Sequence, residues 1–170
     1  LDAEWARRVA AAEQRARAEG RGDVAEYLAL RAQNDLARGV GCDWLLETFH
    51  AHAGALNRAG ASISVTQEQE HRFHVGASTM VGRKLTLRAG VREVVVEAGW
   101  PRTPQDGIVR GGGLALARVT HFGDRKRNAT LLLVAAAGRA PQWMDVAEET
   151  GARTPFVEEQ VRRHVAPLQS

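Results

Sequence analysis

Six histidines, one cysteine, few serines and a glycine-rich loop are the residues with chemistry to offer, and their spacing limits what that chemistry can be. His50 and His52 lie two apart in a helical stretch, about 200° from one another around its axis, while His71 and His74 lie three apart on a strand and face opposite sides. Neither pair chelates unaided. With no HExxH or cysteine-based ligand pattern present, neither a metal nor a cofactor is expected. His52 shares the apolar face of its helix, as a hydrogen-bonded core histidine would. Cys42 lies between Gly41 and Asp43 at an expected helix start; the helix dipole would lower its pKa and Asp43 would oppose that. As the sole cysteine it allows no intrachain disulfide. The serines, Ser62, Ser64, Ser78 and Ser170, form no GxSxG elbow. Asp106 and His121 would make a general acid–base pair if the fold brought them together.

The densest unusual segment runs from residue 99 to 113, between two expected strands, and holds five of the seventeen glycines and two of the five prolines. Prolines stiffen its first half, and Gly111, Gly112 and Gly113 allow close backbone approach in the second. One reading is an anion-binding or interaction loop, with Trp100 as a stacking plate and Arg102 and Arg110 as guanidinium forks. The other is a structural crossover with Trp100 in the core. The segment matches neither a Walker A loop nor a GxGxxG fingerprint. Further on, Arg125, Lys126 and Arg127 form a positive turn beside Phe122. That is a footprint of single-stranded nucleic-acid binding and equally of a solvated hairpin.

Charge sharpens this. The 170 residues carry a net +3, divided as −1 over residues 1–61, +6 over 62–140 and −2 over 141–170. Lys84 and Lys126 are the only lysines against 21 arginines, so the middle block presents planar forks suited to phosphate or carboxylate. With nine aromatics in all, stacking platforms are few.

The elements that must position these residues follow from periodicity. A first helix over 3–19 carries a thin stripe of Trp5, Val9, Ala12 and Ala16, and Gly20-Arg21-Gly22 breaks it. Asp23 with Glu26 resembles a capping box for a second helix from Val24 to about Arg38; Gly39-Val40-Gly41 should stop it, and Asp43 should cap a third over 44–58. After Gly60 the period falls from near 3.6 to 2. Strands are expected at 62–66, 72–75, 84–98 as a hairpin turning at Ala89-Gly90, 114–122 and 129–137. Residues 138–154 read as irregular with a short helix near Trp143, and Thr154-Pro155 as a helix start.

The expectation is a single α+β domain over residues 1–170: a helical part (1–61), an antiparallel sheet of five or six strands (62–137), then an irregular segment and a C-terminal helix (138–170). Trp44, Leu45, Phe49, Leu131, Leu133 and Val134 are the expected core. The longest uncharged run, Asn128 to Gly138, cannot span a bilayer as a helix, and no signal peptide opens the chain, so a soluble cytoplasmic protein with no membrane partner is expected. The leading functional expectation is a non-catalytic binding or assembly module that engages a nucleic-acid backbone or an acidic protein surface through its basic sheet region and the 99–113 loop. A small-molecule enzyme using Asp106, His121 and the loop arginines is one alternative; a structural homo-oligomer subunit is another.

Overall fold

The computed structural model describes residues 2–18, 20 and 22–169. Arg21 of the expected helix break, Ser170 and the side chain of Ala16 lie outside the described residues. The order is α1 (Asp2–Ala18), α2 (Gly22–Arg58), β1 (Ser64–Val75), β2 (Ser78–Ala89), β3 (Arg92–Trp100), β4 (Ala115–His121), β5 (Ala129–Ala136), β6 (Arg139–Val146), β7 (Arg153–Pro155) and α3 (Glu158–Val165). The seven strands form one antiparallel sheet in chain order. No helix among the described residues is long and apolar enough to cross a membrane.

The expected second and third helices are one. Interior glycines cost a helix only about 1 kcal/mol each, and here Gly41 is a contact rather than a stop. A Cβ on it would lie 2.5 Å from Leu133 Cδ2, so its bareness lets α2 lie close on the sheet. Asp43, expected as a cap, instead pairs with Arg83 of β2.

α2 and α3 cover one sheet face, and α1 packs on α2. Leu45, Leu46, Phe49 and Ala53 of α2, with Val161 and Val165 of α3, bury Leu85, Leu87, Val94, Val96, Ala117, Val119, Leu131, Leu133 and Trp143. Leu45, Phe49, Leu131 and Leu133 are fully buried as expected, but Trp44 is 37% exposed and Val134 only half-buried. Trp44 is turned about 100° round the helix from Leu45 and lines a cavity at the sheet margin with Pro141 and Gln142 of β6, and Val134 lies on the other sheet face.

Further corrections concern the sheet and the C-terminal part. Residues 139–146 and 153–155 are strands, not an irregular segment with a helix, and the strands expected at 62–66 and 72–75 are one, β1, so the sheet has seven strands. Thr154-Pro155 ends the sheet; α3 starts three residues later, where the Gln160 side chain accepts from the Val157 N–H at 2.9 Å.

Candidate functional site

The long loop is a strap across the uncovered sheet face. Val109 packs with Phe73, Met80 and Leu116 in a second small core. Ser78 Oγ donates to Ile108 O at 3.1 Å, and Arg153 Nη2 donates to Gly111 O at 2.8 Å. Gly113 presses on Leu132, and Arg38 Nε of α2 donates to Leu114 O at 2.8 Å, so the end of the loop is held from both faces. Gly111 and Gly112 adopt positive φ of 87° and 76°, which L side chains rarely do. Trp100 packs against the main core, and the Arg102 guanidinium lies over its ring at 4.2 Å. Arg110 is exposed and approaches Gly76 in the β1–β2 turn.

These residues do not meet the basic tip. The loop precedes β4 and the tip follows it, so Arg102 and Arg110 belong to one end of a seven-residue strand, about 20 Å long, and Arg125, Lys126 and Arg127 to the other. Asp106 and His121 are parted in the same way. Asp106 accepts from Thr103 N at 3.3 Å and Thr103 Oγ1 at 3.0 Å, closing a turn of the loop, while His121 ends β4. They are not an acid–base pair.

What His121 does meet is His164 of α3. Nε2 of His121 lies 2.8 Å from Nδ1 of His164, and the rings stack with centroids 5.1 Å apart. His164 also packs on Phe49 and Phe156. Burial, with His121 and Arg127 adding to it, pushes its pKa down to about 4; burial and Arg127 also lower that of His121, against a smaller opposing pull from Asp124. At neutral pH the two rings are uncharged and share one hydrogen bond. Sequence spacing misses the pair because 43 residues separate its members. Its one signal is that His164 falls with Val161, Val165 and Leu168 at helical spacing, on the face α3 buries.

The pair lines a cavity of about 910 Å³ at the end of the sheet where β3 begins and β4 ends. Arg92 enters from β3, Arg127 from the tip and Arg163 from α3, with Val94, Phe122 and Leu168 as apolar wall. Arg92 Nη1 donates to Pro167 O at 2.5 Å. Arg127 sits 3.5 Å from Asp124 and Arg163 3.8 Å from Glu159, both long, exposed pairs. Glu93 also lines the cavity but is held by Arg88 at 2.9 and 2.5 Å. Phe122 is 73% exposed beside the tip. Across the sheet, Glu148 and Glu149 in the β6–β7 turn bound this basic end on one side.

Other chemistry is thin. Burial pushes the Cys42 thiol up to about 12, too high for a nucleophile. His52 is partly buried, 3.1 Å from Glu158 Oε1. On the uncovered face His71 Nε2 lies 2.7 Å from Glu97, which also accepts from Arg118 at 3.2 Å. No group of three or more His, Cys, Asp or Glu among the described residues could hold a metal ion. Comparison with known proteins finds no family, no curated protein and no solved structure that matches this chain.

Proposed function

We propose that the protein is a non-catalytic binding module for an anionic partner, and that the partner is a single-stranded nucleic-acid backbone laid over the end of the sheet that carries Arg125, Lys126 and Arg127. One observation carries this: an exposed aromatic, Phe122, stands beside that basic tip, above a cavity that Arg92 and Arg163 also line. Arginine forks fit phosphate oxygens, and a base stacked on an exposed ring contributes about 1–3 kcal/mol without sequence preference. The 99–113 loop, spent on covering the sheet, plays no part in this contact.

A salt titration tests the reading. Binding of a labelled single-stranded oligonucleotide should weaken with a log–log slope of about −0.7 per phosphate contacted. No measurable binding to DNA or RNA at low salt overturns it. An acidic protein surface would then be the anionic partner to test. The enzyme alternative lacks its acid–base pair. Self-association has one observation in its favour: Tyr27 and Leu30, 62% and 56% exposed on α2, could pack against a second copy. Sedimentation of the protein beside a Tyr27→Ser/Leu30→Ser variant tests it, a monomer at every concentration counting against it.

A further inference from the structure

We infer that the His121–His164 cavity seats the phosphorylated end of a nucleic-acid strand, a terminal phosphomonoester with its attached nucleoside; this rests on the strand-binding function proposed above. A continuous backbone can pass over the exposed tip, and the free end of a strand can turn down from it into the concave site. A terminal phosphate carries about −1.5 to −2 at neutral pH, more than the single charge of an internal phosphodiester, and so draws on several cations. Arg92, Arg127 and Arg163 reach the cavity from three different elements. The carboxylates beside Arg127 and Arg163 do not cancel those two. Glu93 is engaged by Arg88, and the exposed Asp124–Arg127 and Glu159–Arg163 pairs are of the kind that contributes little and yields to a stronger anion.

The histidines add a neutral donor. Two uncharged imidazoles joined by one hydrogen bond always keep one further ring N–H, on His121 Nδ1 or on His164 Nε2 according to tautomer. That N–H suits a phosphate oxygen and brings no second anion to repel it. The remaining space sets the size of the ligand. At about 910 Å³ the cavity is in the range of sites for whole small molecules. A bare phosphate would fill only a fraction, and Val94, Phe122 and Leu168 offer apolar surface to a sugar and base.

The experiment compares fluorescence anisotropy of the full chain with three single-stranded 12-mers of one sequence, bearing a 5′-phosphate, a 3′-phosphate or no terminal phosphate. At least one phosphorylated strand should bind tenfold or more tighter than the unphosphorylated one. Arg163→Ser, at a surface position, should bring that ratio within threefold whatever the absolute affinity, and His164→Asn should do the same. If His164→Asn fails to fold, Arg163→Ser alone decides. Equal affinity for all three strands overturns the end-binding inference and leaves the strand-binding function standing. No binding of any strand overturns both. Adenosine monophosphate should compete only in large excess. Displacement at equimolar concentration would identify a free mononucleotide as the ligand and overturn the strand-end assignment.

Discussion

The indole Nε1 of Trp143 donates a 2.8 Å hydrogen bond to the carbonyl oxygen of Gly41, joining β6 to the middle of α2 across the core. Trp143 is 2% exposed, so the bond is dry, and Leu133 fills the space that a side chain at position 41 would need. One glycine thus meets both a strand side chain and an indole.

Trp143→Phe should lower stability by about 1 kcal/mol through loss of that bond, plus a packing cost. Gly41→Val should lower it by about 3 kcal/mol, because the propensity gained by removing a glycine is smaller than the cost of overpacking. Urea denaturation measures both. A Gly41→Val variant as stable as the parent would mean that α2 does not approach the sheet this closely.

That contact also shows how much of the fold was legible. The change of period after Gly60 and the Ala89-Gly90 turn located the sheet, because both are local signals. A buried glycine inside a helix and a glycine that ends one look alike until the packing partner is known. β6 carried no alternation to detect, since Trp143 is its only buried residue and Pro141 reads as a breaker. The basic tip could be read directly from Arg125-Lys126-Arg127. The cavity could not, because the register of β4 and the docking of α3, not any spacing, bring His121 to His164.

Phe49 is fully buried against Phe156, with ring centroids 6.4 Å apart. Phe49→Ala should cost about 3–5 kcal/mol. A loss below 1 kcal/mol in a denaturant titration would place that helix face outside the core.

Stability should fall on acidification through the histidine pair. His164 is held neutral, with its pKa lowered from 6.5 to about 4, so between those values the unfolded chain binds more protons than the folded one. The contribution is fully present above about pH 6.5 and is lost as pH falls towards 4. It amounts to about 3 kcal/mol at most, and His121 acts with the same sign. Urea midpoints at pH 7.5, 5.5 and 4.0 should drop steeply for the parent and less for His164→Phe. Parallel curves would show that the pair titrates normally.

At the tip, replacing Arg125, Lys126 and Arg127 with Ser should flatten the log–log salt slope by up to about 2 on single strands. The melting temperature should stay within about 2 °C, because exposed charges contribute little stability. Phe122→Ser should weaken binding by about 1–3 kcal/mol at every salt concentration. An unchanged slope in the triple variant would move the contact elsewhere.

Asp106→Ala removes the acceptor that closes the Thr103 turn and should cost about 1 kcal/mol. Limited proteolysis should then cut faster within residues 101–113. Oligonucleotide affinity should not change, since the strap and the basic tip lie at opposite ends of β4.

Strand order bears on how the molecule assembles. Each strand hydrogen-bonds only to its neighbours in the chain, so the sheet can zip up through a succession of short loop closures, whose entropic cost grows slowly with length. The return of α3 to α2 is different: His52 meets Glu158 across 106 residues, and nothing local prepares that contact. Contacts of such separation are costly to close and arrive late. The cavity beneath His164 exists only once α3 has docked, and a signal from that ring should report this docking where strand signals report formation of the sheet.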